Sequence, residues 1–180
     1  HTFSVSADGY IQTADFIESS IVDSNRIARG GVLNGADKKG ISLSFYAKLQ
    51  LTKWWDVQMN HSYQYTYYSY KADINAAPIK GGQYNLWLST SFTFWKNMVL
   101  NINGWLNTKG VQPQGIMYPV GMLNASIKKS FFKDRFTVSV AGQNLLNTMK
   151  WHWTVNAVNM QTEGSWQSFS RFVMVTLSYR

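Results

Sequence analysis

The chain contains 180 residues, carries a formal net charge of +8 and has no cysteine, which excludes a disulfide framework and a thiolate metal site. Aromatic residues make up 16% of the chain and charged residues only 14%, whereas soluble domains typically contain about 25% charged residues. The longest uninterrupted apolar run is Phe172 to Val175, so a transmembrane helix, which needs about 20 mostly apolar residues, is also excluded.

The positive net charge does not indicate a nucleic-acid partner, because the basic residues are scattered along the chain. Lys38-Lys39 and Lys128-Lys129 are the only adjacent basic pairs. A groove that follows a phosphate backbone would need a clustered basic stripe. We therefore expect no nucleic acid, and we expect basic loops to meet lipopolysaccharide phosphates instead.

Apolar and polar residues alternate through eight segments, and each segment is predicted to be a β-strand. Most are long enough to cross a bilayer as a tilted strand, which takes about 9 to 11 residues. Membrane β-barrels alternate in this way because one face of each strand meets lipid and the other meets the lumen. In chain order the predicted strands are about Thr2 to Ile21, Ile27 to Leu51, Asp56 to Lys71, Gln83 to Trp95, Met98 to Thr108, Val120 to Phe131, Phe136 to Gln143 and Phe169 to Arg180.

The connections between these strands alternate between short and long. Tight turns follow the second, fourth and sixth strands, near Lys53, Lys96 and Lys133. Short turns on one rim and longer loops on the other are the arrangement of outer-membrane barrels, with the short side periplasmic. The longer segments lie near Asp23 to Arg26, Ala72 to Gly82, Lys109 to Tyr118 and Met149 to Gln167.

Aromatic residues gather at both ends of the predicted strands, as expected for rings that favour the two membrane–water interfaces. The alternative is a soluble all-β domain, in which aromatic residues are simply good strand formers. Soluble sandwiches normally have shorter strands at 8 to 12 residue spacing, which disfavours this alternative. The predicted interface residues are Trp54, Trp55, Trp95, Phe132, Tyr63, Tyr65, Tyr67 and Tyr179.

Several segments resemble known outer-membrane receptors. The stretch from Lys39 to Tyr46, followed by Leu51 to Val57, is similar to a strand, Lys-Trp-Trp turn and return strand of TonB-dependent receptors, in particular their outer-membrane protein β-barrel family. Lys129 to Phe136 is similar to a periplasmic turn of that family. Gln143 to Asn147 is similar to its Asn-Leu-Phe-Asn element, with Leu146 in place of the usual Phe. The resemblance covers nearly the whole chain but only the C-terminal portion of such a receptor.

This resemblance implies that residues 1–180 form the C-terminal segment of an antiparallel transmembrane β-barrel in the outer membrane of a Gram-negative bacterium. The receptor would import a bulky nutrient, such as a metal chelate or a glycan. Its implied partners are outer-membrane lipid and lipopolysaccharide, the remainder of the barrel, a plug domain, and an inner-membrane energy-coupling protein or a surface lipoprotein. The alternative is a structural or assembly barrel that anchors a complex and transports nothing.

Eight strands could also close on themselves into a complete small barrel. Side chains fill the interior of an eight-stranded barrel, and charges within it would need partners. The inward positions here are mainly small and neutral, with few acids near Lys48 and Lys128. This composition favours the wall of a larger barrel.

The sequence predicts no catalytic, metal or cofactor site. His1, His61 and His152 have no metal-ligand spacing, and no nucleophile is paired with a base. We therefore predict that the protein is not an enzyme. The aromatic residues of the longest loop are expected first to pack against one another, and the alternative is that they contact substrate. These candidates are Trp151, His152, Trp153 and Trp166.

Overall fold

The computed structural model describes residues 1–22, 27–71, 77–95, 98–157, 160–167 and 171–180. In these ranges it contains β-strands but no helix long and apolar enough to cross a bilayer. The strands are β1 (Thr2–Val22), β2 (Ala28–Thr52), β3 (Trp55–Tyr70), β4 (Ile79–Phe94), β5 (Met98–Asn107), β6 (Gly110–Gln112), β7 (Gly115–Met117), β8 (Val120–Phe131), β9 (Phe136–Gln143), β10 (Lys150–Ala157), β11 (Met160–Gln167) and β12 (Phe172–Tyr179).

Eight of these strands form one antiparallel sheet in the order β1-β2-β3-β4-β5-β8-β9-β12, which we call the main sheet. They correspond to the eight predicted strands, so the all-β fold class and the strand meander are confirmed. β1 and β12 lie at its two edges and are not paired with each other within the described residues. The predicted connection Asp23 to Arg26 lies outside the described residues.

One face of the main sheet, which we call the outer face, is apolar because cross-strand register aligns the apolar positions. Phe92, Leu100, Ile127, Val140 and Val175 form one row across β4, β5, β8, β9 and β12. Such rows make the apolar side of each strand continuous with that of its neighbour. The outer face is therefore suited to lipid.

The opposite face, which we call the inner face, is polar through the same register. Lys48, Gln58, Ser89, Asn103 and Asn124 form one row across β2, β3, β4, β5 and β8. The Asn124 amide donates a hydrogen bond to Asn103 Oδ1 at 3.0 Å. A sheet with one apolar and one polar face separates lipid from water.

The outer face has the height of a bilayer core. On β3 it extends from Val57 to Tyr67, about 34 Å at about 3.4 Å per residue. A tilt of about 45° reduces this to about 24 Å, close to the apolar band of outer-membrane barrels. Lys39 and Lys80 flank Tyr67 in the register, and Lys39 Nζ lies 4.9 Å from the Tyr67 ring centroid. Long basic side chains beside tyrosine suit the membrane–water boundary.

Strand β4 begins at Ile79, four residues before the predicted start at Gln83. The two glycines in this stretch disfavour a strand on propensity alone. Gly82, however, lies beside the Tyr63 ring, which occupies the space that a side chain at 82 would need. Glycine at 82 therefore leaves room for the Tyr63 ring, and the strand extends through it.

A second antiparallel sheet, in the order β11-β10-β7-β6, continues the main sheet beyond the long-loop rim. β6 follows β5 and β7 precedes β8, each after a two-residue break. The sequence pattern predicts loops for Lys109 to Tyr118 and Met149 to Gln167, and this prediction is wrong for most of both segments. The physical reason is that β6 and β7 have only three residues each, and that β10, which does alternate, pairs with β11, whose residues are mainly polar and include Gly164.

The short turns carry residues in the left-handed backbone region. Phe132, Lys133 and Asp134 have φ of 54°, 56° and 66°, and Trp95 has φ of 33°. Arg135 N–H donates a hydrogen bond to the Phe132 carbonyl at 3.4 Å, which closes the β8–β9 hairpin. Positive φ values allow a tight turn between strongly twisted antiparallel strands.

We predict that Val175→Lys destabilises the folded protein by about 2 to 4 kcal/mol, because a charge would be placed in mid-bilayer lipid. Val175 is 62% exposed on the outer face. Thr176→Lys, one residue along on the inner face, is the matched control and should change stability by under about 1 kcal/mol. The measurement is urea-induced unfolding of the full-length protein in lipid vesicles. Equal effects of the two lysines would contradict the assignment of the faces.

Candidate functional site

A cavity of about 510 Å³ lies on the inner face, between the main sheet and β10. We call it the inner-face cavity. Aromatic and amide side chains dominate its lining, and none of the described lining residues carries a formal charge. These residues are Tyr46, Gln58, Asn60, Ser62, Asn85, Leu86, Trp87, Trp105, Asn107 and Trp151.

Three tryptophans form the aromatic part of the cavity. Trp87 and Trp105 are register partners on β4 and β5, and the Trp105 and Trp151 ring centroids are 6.2 Å apart. Sequence analysis did not select Trp87 or Trp105. The signal was present, because each interrupts the polar phase of its strand, Trp87 between Asn85 and Ser89 and Trp105 between Asn103 and Asn107.

The polar part of the cavity combines paired and unpaired amides. The Gln58 amide donates to the Tyr46 hydroxyl at 3.1 Å, and the Asn85 amide donates to Ser62 Oγ at 3.3 Å. Within the described part of the chain, the side chain of Asn60 makes no hydrogen bond. An amide provides both donors and an acceptor, so this surface can bind groups that donate and accept together.

The Asn-Leu-Leu-Asn element at residues 144–147 positions β10 above the cavity. Asn144 is fully buried, and its φ of 49° turns the chain out of β9. Its N–H donates to Asn124 Oδ1 at 3.0 Å, and its own Oδ1 accepts from the N–H of Thr148 at 3.1 Å and of Met149 at 3.3 Å. Thr148 Oγ1 donates to the Gly121 carbonyl at 2.8 Å. These bonds attach the start of β10 to β8.

Strand alternation divides the predicted loop contacts between two sides. Trp151 lines the inner-face cavity, Trp166 is its register partner on β11, and Trp153 lies two residues along on the same side. His152 points to the other side, where its ring stacks on Tyr118 with 4.2 Å between centroids. Its Nε2 is 2.6 Å from Oε1 of Glu163. The structure therefore brings the tryptophans together and separates His152 from them.

His152 belongs to a second groove, of about 730 Å³, on the outer face at the break between the two sheets. Its lining is mostly apolar and includes Leu88, Ile102 and Leu123, with Lys150 also in contact. An apolar groove on a lipid-facing surface is suited to acyl chains. It is larger than the inner-face cavity but offers few polar groups to orient a soluble ligand.

The β6–β7 turn is attached to the main sheet through Tyr70. The Gln114 N–H donates to the Tyr70 hydroxyl at 3.0 Å, and Asn156 N–H donates to the Gln114 carbonyl at 2.6 Å. Tyr70 lies beyond Lys39 and Lys80 along β3, outside the apolar band. Burial raises the pKa of its phenol above the ordinary value.

The predicted interface aromatics lie at the short turns, at a strand end and along the upper half of β3. At the short-turn rim, the Trp55 ring stacks on Trp54 at 6.2 Å and on Phe92 at 5.5 Å between centroids. Tyr63 packs beside Tyr84 at 4.6 Å, further toward the other rim. Trp95, Phe132 and Tyr179 lie at turns or a strand end and are more than three quarters exposed, whereas Tyr65 and Tyr67 lie on the outer face and are partly exposed.

No group of three His, Cys, Asp or Glu side chains that could hold a metal ion lies within the described ranges. His61 lies on the outer face, paired with Phe45 and Leu86, and its ring stacks on Tyr84 at 5.5 Å. The chemistry that these residues offer is therefore stacking and hydrogen bonding.

A continuous antiparallel sheet with a lipid-suited outer face, aromatic and basic rims and a polar inner face defines the wall of a transmembrane β-barrel. Compared with models of known protein families, residues 1–179 match the outer membrane protein beta-barrel family, and the chain belongs to this family. The family implies an outer-membrane location and is typically not enzymatic. Neither the comparison with curated proteins nor that with solved structures gives a match.

We predict that Asn144→Ala destabilises the protein by about 2 to 4 kcal/mol, because two N–H groups lose their acceptor and alanine resists a positive φ. Asn144→Gly removes the same acceptor but accepts the backbone conformation, so it should cost about 1 kcal/mol less. The measurement is urea-induced unfolding of both variants in lipid vesicles. Stability equal to the parent for Asn144→Ala would contradict a positioning role for this side chain.

Proposed function

We propose that the chain is the C-terminal part of a TonB-dependent outer-membrane receptor that imports a bulky nutrient, such as a metal chelate or a glycan. Residues 1–180 form one segment of the barrel and act as neither enzyme nor cofactor carrier. The observation that carries the proposal is the main sheet itself, which pairs eight strands in sequence and, within the described ranges, leaves the outer edges of β1 and β12 without a paired strand.

The open edges support a larger barrel. Lipid offers no hydrogen-bond partners to backbone groups, so β1 and β12 need neighbouring strands when they are in a membrane. All described side chains of β12 are exposed on both faces, as are those of β1 from Thr2 to Gly9. Strands of the rest of the barrel would cover these edges.

The inner face supports a wide, water-filled lumen. Lys48 and Lys128 both point inward and are exposed, and neither makes an ion pair with a described residue. In a narrow lumen filled with side chains, unpaired lysines would be costly to bury. In a wide lumen they remain hydrated or face a plug domain.

The same surfaces suggest the partners. The apolar outer face meets outer-membrane lipid, and Lys39 and Lys80 at the long-loop rim meet lipopolysaccharide phosphates. The remainder of the barrel and a plug domain complete the receptor. An inner-membrane energy-coupling protein, or a surface lipoprotein, would act on these other parts.

Cysteine pairs test whether the eight strands close on themselves. The 180 residues contain no cysteine, so any disulfide within them must form between the two engineered cysteines. Inner-face pairs join Ser4 or Ser6 of β1 to Thr176 or Ser178 of β12. Ser139→Cys with Thr176→Cys is the matched control, because these residues are register partners on β9 and β12.

We predict that mild oxidation in intact outer membranes cross-links the control pair and none of the β1–β12 pairs. A disulfide needs its two Cα atoms within about 7 Å, which only neighbouring strands provide. Efficient intramolecular cross-linking of any β1–β12 pair would establish a closed eight-stranded barrel and contradict the larger receptor.

Growth of a deletion strain tests transport. Cells with and without the gene are compared on a panel of ferric chelates as iron source and oligosaccharides as carbon source. We predict that at least one substrate supports growth only with the gene, and that a protonophore abolishes its uptake. Equal growth on every substrate would contradict import and favour a barrel that anchors a complex.

A further inference from the structure

We propose that the inner-face cavity binds a neutral saccharide, with Trp105 and Trp151 as stacking surfaces and the surrounding amides as hydrogen-bonding groups. This inference depends on the proposed import function and names its substrate class. It selects the glycan over the metal chelate.

The placement of the tryptophans is the first observation. Trp54, Trp55 and Trp95 lie at the short-turn rim, where membrane anchoring accounts for them. The other five of the eight tryptophans lie on the inner side of the two sheets. Lipid cannot account for indoles that face the lumen, so these need another explanation. They are Trp87, Trp105, Trp151, Trp153 and Trp166.

The inner tryptophans form a series along the wall. Trp166 and Trp151 are register partners in the second sheet, Trp151 approaches Trp105 at 6.2 Å, and Trp105 pairs with Trp87 in the main sheet. The series therefore runs from the extracellular extension into the lumen. The contact between Trp105 and Trp151, with Trp166 and Trp87 on the strands paired to them, offers several aromatic faces to an oligomer of ring-shaped units.

The chemistry of the lining selects the ligand. One face of a pyranose ring presents C–H groups, which pack on aromatic rings, while its hydroxyls both donate and accept hydrogen bonds. Asn60 and Asn107 offer amides of matching capacity, and neither makes a side-chain hydrogen bond with a described residue. A ligand pocket of a few convergent polar groups among aromatic side chains is the usual pattern for a small-molecule site.

The charge of the lining disfavours the alternatives. No described lining residue carries a formal charge, and Lys48, the register partner of Gln58, lies beside the lining and not within it. Recognition of a carboxylate, phosphate or anionic chelate in proteins depends on Arg or Lys. The cavity volume of about 510 Å³ falls within the range of about 300 to 1,000 Å³ for ligand pockets.

The test uses the purified full-length protein in detergent. Binding is measured by titration calorimetry and by tryptophan fluorescence against a panel of neutral hexasaccharides, α- and β-linked, of glucose, mannose, galactose and xylose. A ferric catecholate chelate is the charged comparison. The variants are Trp105→Ala, Trp151→Ala and the conservative Trp105→Phe. Trp54→Ala is the matched control, because it removes an exposed indole at the opposite end of the wall.

We expect at least one hexasaccharide to bind and to blue-shift the tryptophan fluorescence. Trp105→Ala and Trp151→Ala should each weaken that binding at least about tenfold, equal to about 1.4 kcal/mol. Trp105→Phe should restore most of the affinity because it keeps an aromatic face, and Trp54→Ala should leave it unchanged. Unfolding curves for each variant show whether a loss of binding follows from a loss of folding.

Two results would overturn the proposal: no hexasaccharide binds, or one binds with an affinity that Trp105→Ala and Trp151→Ala leave unchanged in the folded state. Binding of the ferric chelate alone would remove the saccharide inference and leave the import function intact. If no ligand binds and the deletion strain grows as the parent does on every substrate, the import function fails as well.

Discussion

Backbone hydrogen bonding within hydrocarbon is the constraint on which this structure depends. Water is absent there, so every N–H and C=O of a crossing strand must pair with a neighbouring strand. From β1 to β12 the main sheet satisfies this requirement at each internal strand. Pairing in register also forces all outer positions onto one surface and all inner positions onto the other. The lipid-facing surface and the lumen-facing cavity are therefore both consequences of the same in-register strand pairing.

The main sheet could be predicted from sequence because its alternation is strong. In the second strand, Ile41, Leu43 and Phe45 alternate with serine and tyrosine, and the observed register places them on the outer face. The start of β4 could not be predicted, since Gly81 and Gly82 have low strand propensity and the space beside them is filled by Val111 and Tyr63, which lie elsewhere in the chain. The alternation of apolar and polar residues indicates which face of the sheet a residue occupies, but it does not indicate which side chains from other strands pack beside it.

The site could be predicted only in part. Trp151 and Trp166 were selected as loop residues, but their position over the lumen depends on strand pairing between β10 and β11 and on the buried Asn144. Trp87 and Trp105 were omitted because an aromatic residue in a strand is ordinarily counted as an outward anchor. Both lie in the polar phase of their strands, Trp87 between Asn85 and Ser89 and Trp105 between Asn103 and Asn107.

The central claim, that one face of this sheet meets lipid and the other meets water, is tested most directly by a cysteine scan of β2 from Ile41 to Leu49. Single cysteines are labelled in intact outer membranes with a membrane-impermeant maleimide. The account predicts labelling at Ser42, Ser44 and Lys48 and protection at Ile41, Leu43 and Phe45, with a period of two residues. Uniform labelling, or protection of the serine positions with labelling of the apolar ones, would contradict it.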